Sequence, residues 1–295
     1  MLFKNAFVYR LVEDFNPSIG ELLKKLEGRA FVPTSGIKAS SFGWTPPLGQ
    51  EGPLAHEISG RILLNGRREE KVIPSSAIND LMMAKIEHLQ TLETRSITNS
   101  EKQRIKEDTT IELLPRALPR SKQILGYISP GDSLLIIDTP HSSDAELFIN
   151  NLRDSLGSFR VVPPQLKKPP SQYFTQWLLN GNLPGNLQLG DQCDLKDIET
   201  GATVTCRHQD LSTKEIRSHI ESGKICTKIG LRWHGELELT VDRDLVLRQL
   251  KLESSDMIEE DPIARLDAAL AETALTLSRF LPELISGLGG ETLVN

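Results

Sequence analysis

Cations set at regular intervals are the residues of this chain whose types and spacing could do chemistry, and the chemistry they suit is the binding of phosphate. Lys224 to Trp233 alternates strictly. Ile225, Thr227, Ile229, Leu231 and Trp233 fall on one side of a predicted strand, and Lys224, Cys226, Lys228, Gly230 and Arg232 on the other. Lys224, Lys228 and Arg232 would each stand roughly 13 Å from the next at about 3.3 Å per residue, a row that can follow a phosphate backbone. The same row also fits an outer strand whose cations are simply solvated. A second group, Arg116, Arg120 and Lys122, surrounds Pro115 and Pro119. Each proline fixes φ and pushes its predecessor out of the helical region, so Leu118 is presented on a short rigid turn between two arginines. A leucine so placed suggests contact; a loop that tucks it into the core is the alternative.

Other chemistries lack their residues. The chain has no G-x-x-x-x-G-K-[ST] loop, no G-x-S-x-G elbow, no H-E-x-x-H and no strand-linked G-x-G-x-x-G, so nucleotide hydrolysis and zinc proteolysis are without their usual apparatus. His56, His88, His141, His208, His219 and His234 have no ligand spacing, and the acid pairs Glu259-Glu260 and Asp242 with Asp244 lie in charged turns. Cys193, Cys206 and Cys226 are an odd number without C-x-x-C spacing and read as small buried hydrophobes. No catalytic residue, metal or cofactor is assigned, and the chain is not expected to be an enzyme. The alternatives from other classes are a metal-dependent nuclease built from distant carboxylates and a protein-interaction scaffold.

Composition sets the frame for these groups. A chain of 295 residues, 38% hydrophobic and 25% charged, has the balance of a soluble globular protein with one large or two ordinary domains. Its longest aliphatic block, Leu134-Leu135-Ile136-Ile137, is far short of the roughly 20 residues that cross a bilayer, and no apolar leader is visible, so a cytoplasmic protein is expected. The net charge of −6 argues against a nucleic-acid partner only until its distribution is read. Glu253, Asp256, Glu259, Glu260, Asp261, Asp267 and Glu272, with Arg265 as the single base among them, supply all of it. Screening confines a patch to about 10 Å, so a basic surface elsewhere is compatible with this acidic block.

The elements that must position the cations are legible in part. Phe3 to Leu11 alternates as a strand, and Ser18 with Glu21 forms a capping box for a helix that ends at Gly28. Ala30 to Gly60 reads as an ordered loop anchored by Trp44. Arg61 to Leu64 and Lys71 to Ile73 read as strands joined by an Asn65-Gly66 turn. Ser75 or Ser76 opens a helix with Ile78, Leu81, Met82, Ile86, Leu89 and Leu92 on one face, about 27 Å long to Arg95 at 1.5 Å per residue. Ser100 with Gln103 caps a second helix running to Pro115, so the two form a hairpin arm over about 75–122. Strands Ile124 to Ile128 and Ser133 to Asp138 follow, and boxes at Ser143/Glu146 and Ser212/Glu215 open helices ending at Gly157 and Gly223. Between these last two helices lie a predicted helix around Tyr173 to Leu179 and a strand from Ala202 to Arg207. Pro163, Pro164, Pro169 and Pro170 mark the boundary between halves 1–162 and 163–295. The last helix, 261–288, starts with Asp261 and Pro262, carries Ile263, Leu266, Leu270, Ala274, Leu277, Leu281, Leu284 and Leu288 at steps of three and four, and should kink at Pro282. That seam is either intramolecular core or a dimerisation element formed by Leu266, Leu270, Leu277, Leu281 and Leu284. The fold class expected is α+β, two alternating sheet and helix halves with a projecting arm.

Seven stretches in order resemble one family, the bacterial recombination-associated RdgC proteins. They are Met1-Leu2-Phe3-Lys4-Asn5 with Tyr9-Arg10, Gly43-Trp44-Thr45-Pro46-Pro47, Glu69-Glu70-Lys71-Val72-Ile73-Pro74, Leu113-Leu114-Pro115-Arg116-Ala117, Gln209-Asp210-Leu211, Gly223-Lys224 with Thr227-Lys228, and Gly287-Leu288-Gly289-Gly290-Glu291. The resemblance runs from end to end. It implies a ring-shaped homodimer, associated with the nucleoid, that encloses double-stranded DNA, with single strands as a further partner. Such a ring binds without sequence preference and limits access of the RecA recombinase. It also implies that the family's tip phenylalanine, at the ring gate, falls on Leu118, and that its Lys-Lys-Gln stretch falls on Arg207, His208 and Gln209. Both matches depart from the pattern, since leucine has no ring to stack and a histidine carries little charge at pH 7.

Overall fold

The computed structural model describes residues 2–49, 51–252 and 261–292 of a mixed α+β chain. In chain order its elements are β1 (Asn5–Leu11), α1 (Ile19–Glu27), β2 (Ser40–Thr45), β3 (Ala55–Ile58), β4 (Arg61–Val72), α2 (Ser75–Glu93), α3 (Asn99–Leu113), β5 (Leu118–Ser129), β6 (Leu134–Asp138), α4 (Ser142–Leu156), β7 (Val161–Val162), α5 (Pro170–Asn180), β8 (Leu187–Asp197), β9 (Thr203–Cys206), α6 (Lys214–Glu221), β10 (Lys224–Trp233), β11 (Leu237–Asp242), β12 (Leu247–Leu252) and α7 (Pro262–Gly287), with a 3-10 turn at Leu114–Arg116. The strands form one antiparallel sheet in the order β2-β4-β5-β6-β1-β12-β11-β10-β8-β9, with β3 beside β4 and β7 beside β1. β1 is the joint. Its Phe7 to Arg10 pair with β6 and its Asn5 and Ala6 with β12.

Alternation along the strands builds two cores on opposite faces of this sheet. Ala6 and Val8, Leu63, Tyr127, Leu134 and Ile136 face the core that continues through Leu231, Trp233, Leu239 and Leu247 and is closed by Phe174, Ile216 and Leu277 of α5, α6 and α7. The neighbouring residues Ile62, Leu64, Ile124, Leu135 and Ile137 face the other core, with Leu22 and Leu26 of α1 and Phe148 and Leu152 of α4. Trp44, buried, meets Phe148 edge to face at 5.0 Å. α2 and α3 pack against each other, joined by a Lys85–Glu112 ion pair, and only Ile86 of the predicted α2 stripe is fully buried, with Leu81 and Leu92 exposed. Among the described residues, no helix is long and apolar enough to cross a membrane.

Several local expectations are corrected. Asn65-Gly66 is no turn. β4 runs through it as a continuous strand, because Gly66 leaves the space that the Phe42 ring occupies; a Cβ there would lie 2.3 Å from Phe42 Cζ. Gly66→Val should therefore lower stability by about 1–3 kcal/mol through overpacking, measurable by urea denaturation. The segment 30–60 contains β2 and β3, whose residues pair with β4. The Ser18/Glu21 capping box forms as expected, but α3 starts one box earlier, with Thr98 and Glu101 in place of Ser100 and Gln103. α2, α4 and α6 start without a side-chain cap at Pro74, His141 and Thr213, so the serines at 75, 76, 143 and 212 do not cap them. Ser212 instead bonds Asp210. Leu118 is not on a turn: it opens β5, opposite Val72, and remains 81% exposed.

α7 begins as predicted, with the Asp261 carboxylate accepting from the N–H groups of Ile263 and Ala264. Its seam is core of its own chain. Leu270, Leu277, Leu281 and Leu284, expected as a dimer interface, are buried in the core of their own chain, and Leu266 is partly buried beside them. Glu253, Asp256, Glu259 and Glu260 of the acidic block lie outside the described residues.

Candidate nucleic-acid interface

The first basic group stands where β4 and β5 run beyond the core. Arg68 is directly opposite Lys122, and Glu70 opposite Arg120. Two cations opposed in this way repel. What holds them is Asp144, a buried carboxylate in the first turn of α4, which accepts from Lys122 Nζ at 2.6 Å and from Arg68 Nη1 at 2.8 Å. Burial alone would raise the Asp144 carboxyl, but the bonds from Lys122 and Arg68 outweigh it and hold the group below the usual carboxylate range. A carboxyl lowered on folding adds stability above its unfolded pKa, and that stability is lost as pH falls through the folded value. Asp144→Asn should thus cost about 1–3 kcal/mol at neutral pH, with the gap to wild type closing in acid; thermal denaturation at both pH values checks it.

Arg68, Lys71, Arg120, Lys122 and His141 line a groove of about 660 Å³ beside Val72 and Ile73. Arg116 and Arg120 are exposed and make no ion pair among the described residues. Arg116 acts in part on Glu112, whose carboxyl the bond from Lys85 lowers most and Arg116 helps to lower, the charge of Arg120 is open to a ligand, and that of Lys122 is shared with Asp144.

The second group lies on β8 to β12. The predicted row of three cations on β10 is interrupted, because a bulge between Cys226 and Lys228 adds one residue relative to β8. Cys226 therefore enters the core with Ile229, Leu231 and Trp233, and Lys224 shares its side of the strand, while Lys228, Gly230 and Arg232 keep the other. Most cations here are already matched in the plane of the sheet: Lys228 with Asp194 at 2.6 Å, Arg232 with Glu238 at 2.7 Å and Arg248 with Asp242 at 2.9 Å. Lys224 Nζ donates to Ser222 Oγ. Arg207 is exposed and makes no ion pair among the described residues, His208 is exposed with Nδ1 3.1 Å from Asp191 Oδ2, and the Gln209 amide donates to Glu215.

Sequence reasoning missed Arg68, Arg248 and Lys251. Arg207, His208, Arg232 and Lys251 surround a cavity of about 320 Å³ floored by Gly190 and Gly230. Lys251 is three positions on from Arg248, a spacing that puts them on opposite sides of a regular strand. A bulge at Gln249, whose φ is +54°, brings both to one side, opposite Thr240 and Glu238. A glutamine in the left-handed region leaves no sequence mark. Arg68 could have been found from the 12-residue β4, had Asn65-Gly66 not been read as its end.

The two groups share one side of the sheet. The α7-side core takes Leu63, Tyr127, Val8, Leu239 and Trp233 and so marks one face from β4 to β10. Arg68 and Lys122 alternate with that face, alongside Leu64 and Ile124; Arg232, Arg248 and Lys251 alternate away from Leu231, Leu247 and Leu250. No helix residue lines the cavity around Arg232 and Lys251.

One antiparallel sheet thus carries two grooves lined by cations on the same side. Comparison with known proteins supplies the family. Residues 1–291 match the family model described as "Putative exonuclease, RdgC". Proteins named recombination-associated protein RdgC are similar over nearly the whole chain: that of Aeromonas hydrophila is 37% identical over 299 residues, that of Tolumonas auensis 36%, and that of Pseudomonas aeruginosa 31% over 304 residues, each covering 99% of both chains. The chain belongs to the RdgC family. These relatives are named for recombination, not for an enzymatic activity.

Proposed function

We propose that this chain binds DNA without sequence preference, that two copies close around it as a ring, and that the ring limits access of RecA recombinase during recombination. The observation that supports this most is the placement of the Arg68/Arg120/Lys122 and Arg207/Arg232/Lys251 groups on one side of one sheet. Cations spread along strands suit contacts to a phosphate backbone, which position a protein on DNA without reading its sequence. In this reading α2 and α3 form the arm, and the exposed Leu118 beside Val72 forms the gate of the ring, since the α7 seam is covered by its own chain. The protein acts on the nucleoid in the cytoplasm.

The test of binding is affinity for several duplexes across a salt series: equal affinities, with log K falling by about 0.9 per phosphate contact per unit of log salt, are expected. Salt-independent affinity or a strong preference for one sequence would refute it. The ring is tested separately. Leucine lacks the ring-ring attraction of about 0.5–1.5 kcal/mol that an aromatic pair adds, so Leu118→Phe should slow escape from relaxed plasmid about two- to ten-fold and leave escape from linearised plasmid unchanged. Equal effects on both substrates would mean that Leu118 is no gate. The family description also names an exonuclease. Shortening of linear DNA in magnesium or manganese, abolished by chelator, would favour that second reading.

A further inference from the structure

Three cysteines that are far apart in sequence meet in space. Cys193 on β8 is the direct cross-strand partner of Cys206 on β9, the two thiols are close enough to interact, and Cys226 lies close to Cys193 from β10. Directly opposed residues of antiparallel strands have Cα atoms about 4.5–5.5 Å apart, inside the range of about 4.4–6.8 Å that a disulfide spans. Cys226 is placed differently: its register partner is Leu195, and its Sγ bonds the Lys228 carbonyl at 3.2 Å. Cys206 is partly exposed on the last strand of the sheet, and Cys193 is buried beneath it.

We propose that Cys193 and Cys206 form a reversible disulfide on exposure to a small disulfide oxidant, and that this bond controls the setting of Arg207, His208 and Gln209. The accessible Cys206 thiolate attacks one sulfur of the oxidant, whose S–S bond breaks and releases one thiol, leaving a mixed disulfide on Cys206. Cys193 then attacks Cys206 Sγ and the second sulfur of the oxidant departs, the Cys193 proton passing to that departing thiolate so that it leaves as the second thiol. Two protein thiols are oxidised by two electrons and the oxidant is reduced to two thiols. Exposure makes Cys206 the attacking group; Cys193, which burial pushes up to about 12, reacts only once the mixed disulfide has placed a sulfur beside it. Opposed Cβ atoms stand about 4.5–5.5 Å apart and a disulfide holds them at about 3.8 Å, so closing the bond re-sets the backbone of Cys206 without moving the strand as a whole. Arg207 follows Cys206 directly, so its guanidinium is displaced from its place beside the Arg232 and Lys251 cavity.

The consequence for binding rests on the DNA reading above; the bond itself does not. The full chain is incubated with oxidised glutathione, then free thiols are titrated and peptides mapped without reduction. Thiols should fall from three to one with Cys193 linked to Cys206, the link should persist in Cys226→Ser, and Cys206→Ser should form none. Three surviving thiols, or a Cys193–Cys226 link, would overturn the proposal. The oxidised chain should bind duplex DNA about three-fold or more weakly, with recovery on adding dithiothreitol, as expected when one phosphate contact is displaced. A mapped bond with unchanged affinity would overturn the control of Arg207. A reduced chain that binds no DNA would count against the DNA reading instead, with the peptide map still deciding the bond.

Discussion

Leu277→Asp should leave no folded protein at 25 °C, and circular dichroism together with sedimentation should find unfolded or aggregated chain where wild type is folded. Leu277 is fully buried between α7 and the sheet, among Trp233, Phe280 and Leu281. Truncating a buried leucine costs about 2–5 kcal/mol, and an unpaired carboxylate in its place adds the cost of desolvating a charge, against a total stability of about 5–15 kcal/mol for a domain. Leu275, on the same helix but 56% exposed, provides the control: Leu275→Asp should fold normally. A folded, monomeric Leu277→Asp protein would show instead that the seam serves association and that the packing described here is wrong.

The second large effect is expected on binding. Arg120→Glu combined with Lys251→Glu should weaken duplex binding about a hundred-fold at low salt and reduce the salt slope by about 2, alike for all sequences, in a gel shift or anisotropy titration. These two residues are chosen because they are exposed, belong to different groups on the same side of the sheet, and make no ion pair among the described residues, the acids opposite them, Glu70 and Glu238, being held by Arg68 and Arg232. Lys228→Gln should cost far less. Asp194 already holds Lys228 at 2.6 Å, so a phosphate gains less from it than its place in the strand suggested. Equal losses for Lys228 and for the double variant would mean that ion pairs within the sheet open freely on binding.

That contrast shows where the sequence was readable. Periodicity located β10 and α7, and the Ser18/Glu21 box and the Asp261-Pro262 start were correct, because each depends on residues a few positions apart. Partners distant in sequence were not readable. The space that Phe42 takes above Gly66, the carboxylate of Asp144 beneath Lys122, and the acids that neutralise Lys228, Arg232 and Arg248 all come from other elements. The bulges at Cys226/Lys228 and at Gln249 re-aimed cations without a glycine or proline to announce them. α7 shows the same limit in reverse: a stripe of leucines reads identically whether its cover is the chain's own sheet or a second copy.

The position of β1 at the joint of the sheet bears on the order in which a ribosome can deliver this fold. β1 is made first, and its partner β6 follows within about half of the chain, but Asn5 and Ala6 wait for Arg248 and Leu247 on their other side. β7 covers the Arg10–Leu11 end of that edge, but until β12 has emerged the Asn5–Ala6 end stands open beside a half-built core, the kind of edge that recruits other strands. A nascent chain stalled before β12 should thus be the form most in need of a chaperone, and a late stop codon should yield aggregate in place of a smaller folded protein.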